Sequence, residues 1–377
     1  MTTNKNDEFH TSKLDCELNS IEYAYALPDA LGYDITERFR KYLGSRFINI
    51  NSTEDLPYFG NDEDPILKKK RNILLCLKHS PYLEPCPGTK NYLCCGYKIM
   101  SIVEGCHMDC SYCILQGYLN APMTRVHVNI KDYENALNNA FMSNPDKSYR
   151  IGTGELADSL FLDELTGVSE RMIHLFSNYN NSIFEIKTKD HRIEHLLNLD
   201  HNRRTIISWS LNTPRIINLE ERRTSSLKKR LEAAAAAEQA GYKLGFHFDP
   251  LIDYSGWEKD YEEVVKRISK QVNPENICWI SLGCLRFPPL LWPYIRNRFP
   301  SSKLYLGEFI RGLDGKTRYF KTIRTHMYSA MKKWIQEYLG KNVFVYLCME
   351  SELEWQNAFD INACTMEKIS SCLDNRI

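Results

Sequence analysis

The chain has 377 residues, 43% of them hydrophobic, and its 48 Lys and Arg are matched by 48 Asp and Glu. That is enough for one large core or two modest ones, and the zero formal charge gives no global grip on nucleic acid, although a local basic patch can sit inside a balanced sum. No apolar run reaches about eighteen residues, so no membrane span is expected, and the polar start "MTTNKNDEFHTSKLD" lacks the apolar stretch of a secretory signal.

Residues 1 to about 65 read as polar and irregular, with "NSTEDLPYFGNDEDP" as an exposed stretch. From about residue 97 a rhythm begins. Short β-branched or aromatic runs alternate with longer helical patterns. The strand-like runs are "YKIMSIVEG", "SYRIGTG", "SIFEIKT", "RTIISWSL", "YKLGFHF", "NICWISLG", "KLYLGE" and "NVFVYLC". Between them lie the helical patterns "KDYENALNNAFM", "LDELTGVSERMIHLF", "SSLKKRLEAAAAAEQA" and "GWEKDYEEVVKRISKQ". The five alanines at 233–237 are good helix formers, and Gly241 is placed to cap that helix. Strand, helix, strand in repetition predicts an α/β fold with a parallel sheet, either a barrel or a doubly wound sheet.

Thirteen cysteines in a chain with no secretory signal read as reduced thiols of a cytoplasmic protein. Cys16, Cys76, Cys278, Cys364 and Cys372 carry no local signature and are expected to be packed or surface thiols. "CPGTKNYLCCGYK" adds Cys86, Cys94 and Cys95 just before the first strand of the rhythm. With Cys76 these could hold a second metal, but the spacing matches no established motif. Adjacent Cys94 and Cys95 on an extended segment point to opposite faces.

The sharpest feature is "EGCHMDCSYCILQGYLN". Cys106, Cys110 and Cys113 are separated by three and then two residues, directly after the first strand. Parallel barrels place their chemistry at such strand ends. Three thiolates with no fourth nearby leave one position open. A zinc loop would have to borrow a distant ligand. A [4Fe–4S] cubane instead uses three thiolates for three irons and leaves the fourth iron free. Tyr112, one residue before the last cysteine, is a catalytic candidate. His107 reads as a loop residue. In "HFDPLID", His247 and Asp249 share one face of a strand with Asp253 just beyond, and "GCLRFPP" offers Arg286 as an anion partner.

The cysteine spacing after a first strand resembles the radical S-adenosylmethionine (SAM) superfamily. "GCHMDCSYCILQGYL" is similar to the cluster loop of spore photoproduct lyases, and "KTKDHRIEHLL" to their third-strand segment. So is the stretch 208–261, with its Ser–x–Asn strand end, Ala–Gly–Tyr and Gly–Trp–Glu. "GCLRFPPLL", "LGEFIRGLDGKTRYFKTIRTHMYSAMKKWI" and "VYLCMESELEWQNAF" resemble the wider lyase-like family. The likeness spans roughly residues 90 to 360 and leaves the first ninety unexplained.

The resemblance implies a partial (β/α)6-type TIM barrel over 91–300, an N-terminal extension over 1–90 and a C-terminal lyase-like extension over 301–377 packed on the barrel. It makes Cys106, Cys110 and Cys113 ligands of a [4Fe–4S] cluster. Gly152, Gly154 and Glu155 of "GTGE", together with Lys189, Ser210 and Asn212, become SAM contacts, a carboxylate suiting the SAM ammonium. The implied reaction is reductive cleavage of SAM to a 5′-deoxyadenosyl radical, then hydrogen abstraction at a thymine methylene and scission of the bond joining two bases. The implied partners are DNA or a nucleotide-type substrate and an external electron donor such as flavodoxin or ferredoxin. One departure matters. Where true lyases carry a hydrogen-donating cysteine near the second strand end, this chain has Glu155 or Leu156, so either the thiol comes from elsewhere, with Cys284 at a late strand end as a candidate, or the reaction ends differently. Other readings are a radical SAM enzyme acting on a nucleoside, peptide or small metabolite, and a non-catalytic iron–sulfur protein.

Overall fold

Strands buried along their whole length organise the molecule, which is described here from a computed structural model covering residues 18–88, 91–119, 121 and 123–376. Residues 1–17, Cys16 among them, lie outside the described residues, and the N-terminal stretch from residue 18 is not irregular. It forms β1 (Tyr23–Ala26), β2 (Phe47–Asn49) and β3 (Asn72–Cys76), with a helix at Asp34–Leu43 that buries Ile35, Phe39 and Leu43. Strands of three to five residues between polar loops leave too short a pattern to read in sequence.

The main sheet opens with the short pair β4 (Glu84–Pro85) and β5 (Lys98–Ile99). The run "YKIMSIVEG" then leaves that sheet. The Ser101 carbonyl accepts hydrogen bonds from the Tyr133 hydroxyl at 2.9 Å and faces His127 Nδ1 at 2.7 Å. The chain continues as β6 (Val103–Glu104), then β7 (Asp109–Cys110) inside the cysteine loop and β8 (Thr124–His127). Strand β8 pairs parallel with β3, and β6 pairs antiparallel with β8, giving the order β2-β1-β3-β8-β6. The N-terminal sheet is thus completed by strands from beyond residue 90.

The remaining barrel strands are β9 (Tyr149–Gly152), β10 (Ser182–Thr188) and β11 (Thr205–Ser210). After the two-residue β12 (Glu221–Arg222) come β13 (Lys243–Leu251) and β14 (Ile277–Cys284). A three-stranded appendage follows, of β15 (Arg286–Phe287), β16 (Phe309–Arg311) and β17 (Thr317–Tyr319), and then β18 (Val345–Leu347). In the main sheet β5, β9, β10, β11, β13, β14 and β18 are neighbours in sequence order, every pair parallel. A doubly wound sheet would reverse direction at a switch point; this one winds one way, as a barrel does. Strands β11 and β14 are buried at every residue, as expected of parallel strands with both faces covered. The two ends of the curled sheet meet through a bridge between Leu93 and Glu350, with Leu93 N donating to Glu350 O at 2.9 Å.

Two expected elements differ. "LDELTGVSERMIHLF" is not one helix, because Gly167 adopts φ +63° and splits it into Asp163–Thr166 and Val168–Phe176. "KLYLGE" holds a 3-10 turn at Leu304–Leu306 rather than a strand. The alanine-rich helix runs Leu227–Gln239, capped by the Ser226 side chain at its start and followed by Gly241 at φ +89°.

Candidate active site

The cysteine loop is anchored from three directions. β7 pairs antiparallel with β12, so the loop is tied to the segment after β11. Ser111 N donates to Glu220 O at 2.8 Å, and the Ser111 hydroxyl bonds the Glu220 carboxylate. The Tyr112 hydroxyl donates to Glu221, whose other oxygen takes Arg230 Nη2 at 2.6 Å. From the N-terminal unit, Lys70 Nζ reaches Met108 O at 2.7 Å and Asp109 at 2.8 Å. From the C-terminal side, Arg298 pairs with Asp109 at 3.0 Å and with Asp64 at 2.8 Å. The Gln116 amide donates to the Cys110 and Ser111 carbonyls, both at 3.0 Å.

The loop opens on a cleft of about 750 Å³ at the C-terminal ends of the barrel strands. Cys106, Cys110 and Cys113 all line it. Burial pushes the Cys110 thiol up, Lys189 opposes, and the charges of Glu221, Cys113 and Cys106 add to the rise. Among the described residues, no three His, Cys, Asp or Glu side chains are arranged to share a single metal ion. A cubane does not ask for that, since each thiolate takes a different iron. The donor set fits such a cluster.

Around the same cleft stand Gly154, Glu155, Lys189 and Ser210. Glu155 is paired with Lys187. Burial works against the Lys187 charge, and the Glu155 and Glu185 carboxylates overcome it and hold the ammonium protonated. The turn carrying Lys189 is clamped by Asp158, which accepts Lys189 N at 2.7 Å and the Thr188 hydroxyl at 2.7 Å. Lys189 Nζ lies 5.9 Å from the centroid of the Tyr112 ring. The Ser210 carbonyl is held by Arg230 Nη1 at 2.7 Å, which fixes the strand end that carries its hydroxyl.

Three sequence assignments change. Asn212 does not face the cleft. It is buried, donating to Pro250 O at 3.0 Å and accepting from Thr213 N and the Tyr261 hydroxyl, so it caps a turn. Gly152 is not among the cleft-lining residues, and a Cβ there would stand 1.9 Å from the Tyr97 hydroxyl. Cys284 points away from the cleft. β14 continues through Cys284, and side chains alternate along a strand, so the parity that brings Ser281 to the cleft turns Cys284 outward, with its sulfur 3.8 Å from Met327 Sδ.

His247 and Asp249 share the cleft face as expected. His247 Nε2 sits 2.8 Å from Glu185, and Arg286 grips Asp249 bidentately at 2.8 and 3.2 Å. Asp253 is not among the cleft-lining residues. Of the supposed second metal set, Cys76 is buried in a small separate core beside Leu74 and Met123, its thiol pushed up to about 12 by burial. Cys86, Cys94 and Cys95 line the cleft. Sequence reading missed Tyr97, Glu185, Lys187 and Cys348, which also line it. The signal was present for two of them. Glu185 and Lys187 are charged residues two apart in an apolar strand, hence on one face. Their partners come from other strands and carry no sequence signal.

A one-way parallel partial barrel with a three-cysteine loop after its first strand defines the radical SAM class. The spore photoproduct lyase family profile matches residues 20–348. Curated relatives named spore photoproduct lyase include that of Clostridium acetobutylicum, 28% identical over 76% of this chain and 83% of the relative. That of Bacillus subtilis is 29% identical over 54% of this chain and 60% of the relative. Among solved structures, a cysteine-to-alanine variant of spore photoproduct lyase superposes with a TM-score of 0.77 at 24% identity, covering 86% of this chain and 98% of that one. A double variant with bound AdoMet and dinucleoside spore photoproduct gives 0.76 at 23% identity with the same coverage. The chain belongs to the spore photoproduct lyase family. The family match begins at residue 20, so it takes in most of the N-terminal stretch that the sequence motifs left unexplained. No helix among the described residues is long and apolar enough to cross a membrane.

Proposed function

We propose that this protein is a radical SAM lyase that reverses a thymine photolesion in DNA. The observation that carries the reading is the convergence of Cys106, Cys110 and Cys113 with Glu155, Lys189 and Ser210 around one cleft. Cys106, Cys110 and Cys113 would hold a [4Fe–4S] cluster, which would supply the electron for reductive cleavage of SAM. The chain's own residues bind, orient and exclude water. Glu155 offers a carboxylate to an ammonium, with Lys187 fixing its orientation. Gly154, which lines the cleft, packs closely against β10, where a Cβ would come within 2.7 Å of the Lys187 side chain and 2.9 Å of its carbonyl. Asp158, by fixing the Lys189 turn, sets where that ammonium stands.

Relatives with bound dinucleoside spore photoproduct support the substrate class. With no net charge, contact with phosphate has to be local, and Arg311 and Lys316 stand on the cleft wall formed by the β16–β17 hairpin. A damaged base pair costs less to unstack than an intact one, which favours entry of a lesion into the cleft. The electron comes from an external low-potential donor of the flavodoxin or ferredoxin kind.

The test is anaerobic reconstitution with iron and sulfide, followed by SAM, dithionite and lesion-bearing DNA. Lesion-dependent 5′-deoxyadenosine with restored thymine is expected. Deoxyadenosine formation with the lesion untouched would refute repair and direct the search to nucleosides and peptides.

A further inference from the structure

Removing one hydrogen and breaking the carbon–carbon bond between two bases leaves one base whole. The unpaired electron stays on the former bridging carbon of the other, which lacks one hydrogen of a methyl group. A thiol S–H is, with the tyrosine O–H, among the weakest X–H bonds that protein side chains offer, and it passes its hydrogen to carbon radicals fastest, so the donor should be a cysteine that faces the cleft and does not hold the cluster. We propose that Cys348 is this hydrogen-atom donor, an inference that rests on the lyase reading above.

Among the described residues, seven cysteines line the cleft. Three are the cluster set. Cys86, Cys94 and Cys95 are engaged with one another, the Cys94 thiol being in hydrogen-bond contact with both of the others. Cys348 stands apart at the end of the last parallel strand, where barrels place reacting groups. Its backbone N donates to Leu282 O at 2.8 Å, so the strand pairing with β14 carries on to it.

Its sulfur is held by a built arrangement. Arg286 Nη2 donates to Cys348 Sγ at 3.5 Å, and the guanidinium is itself fixed by Asp249 and by the Cys284 carbonyl at 3.3 Å. Gly283 clears the space for this pair, since a Cβ there would stand 2.7 Å from both Arg286 and Asp249. Burial, with Asp249 beside it, pushes the Cys348 thiol up against the pull of Arg286. The sulfur therefore keeps its hydrogen at neutral pH, and a thiolate would have none to give.

In the step itself one S–H bond breaks and one C–H bond forms, completing the methyl group and leaving a thiyl on Cys348. One electron from the external low-potential donor and one proton from water return it to the thiol.

The experiment uses the reconstituted protein in D2O with dinucleoside spore photoproduct, SAM and dithionite, and mass spectrometry of the products. Wild type should place deuterium in a thymine methyl group. Cys348→Ala and Cys348→Ser should keep cluster absorbance, SAM binding and lesion consumption. Their thymine recovery should fall on the order of tenfold or more, and the methyl deuterium should disappear. Independent of turnover, iodoacetamide should label Cys348 in the folded protein only in alkaline buffer, where the raised thiol begins to ionise, and should spare Cys284. Wild-type thymine yield and deuterium content in Cys348→Ala would overturn the proposal while leaving repair intact. So would loss of the label in Cys94→Ala or Cys95→Ala with Cys348→Ala unaffected. A wild-type protein inert towards the lesion would refute the repair reading and this step with it.

Discussion

Replacing Arg230 by Met tests whether the cysteine loop depends on a buried charge from a neighbouring helix. The Arg230 and Glu221 side chains are 0% and 1% exposed. That places them among buried pairs, where one missing partner is costly, and not among surface pairs worth little. Arg230 donates to Glu221 at 2.6 Å, to the Thr224 hydroxyl at 2.7 Å, and to the Ser225 and Ser210 carbonyls at 2.8 and 2.7 Å. Met fills comparable volume with no donors and leaves the Glu221 carboxylate without a counter-charge. The expected loss is about 3–5 kcal/mol of unfolding free energy. At about 1.4 kcal/mol per decade that is roughly two to nearly four powers of ten in the equilibrium constant.

Glu221 also receives the Tyr112 hydroxyl, so the loop should loosen and the reconstituted cluster should lose iron faster on chelator challenge. The double variant Arg230→Met, Glu221→Leu removes both charges and should recover most of the loss. It leaves the Tyr112 hydroxyl unpaired, at about 1–3 kcal/mol. Urea unfolding followed by circular dichroism, with visible absorbance for the cluster, reads both effects. Arg230→Met unfolding within about 1 kcal/mol of wild type, or a double variant no better than the single, would refute the reasoning.

Burial raises the Glu185 carboxyl, but the charge and hydrogen bond of His247 outweigh it and bring it down to about 2 from the ordinary 4.5. The folded state therefore gains stability above pH 4.5 that is lost as pH falls towards 2, roughly 3 kcal/mol in all. Glu185→Gln should flatten that acid limb in pH-dependent unfolding curves. Ala at Cys106, Cys110 or Cys113 should remove the cluster's visible absorbance and SAM cleavage together, and persistence of either would contradict the ligand assignment. Gly152→Ala drives a methyl into the Tyr97 hydroxyl and the Glu185 carbonyl, at 1.9 and 2.6 Å. It should lower the melting temperature and weaken SAM binding by calorimetry. Cys284→Ala should leave turnover and product profile at wild-type values, since its sulfur faces Met327 and not the cleft.

The sequence alone determined the chemistry-bearing loop and the strand–helix alternation of a parallel sheet, while the strand order decided that it winds as a barrel. The loop and the alternation are local statements. The spacing of Cys106, Cys110 and Cys113 is set within one short loop, and strand–helix alternation is a pattern of neighbouring residues. The Ala-rich helix and its Gly241 stop were legible for the same reason.

Tertiary structure decided what depends on residues far apart in the chain. The N-terminal strands β1, β2 and β3 pair with one another, and their sheet reaches five strands only because β8 and β6 come back to join it. Lys70 and Arg298 converge on Asp109 from opposite ends of the chain. Cys284 and Cys348 both sit at late strand ends, and only the strand register shows which one faces inward. In a strand a shift of one residue exchanges core and cleft, and register is fixed by pairing partners that no local pattern contains.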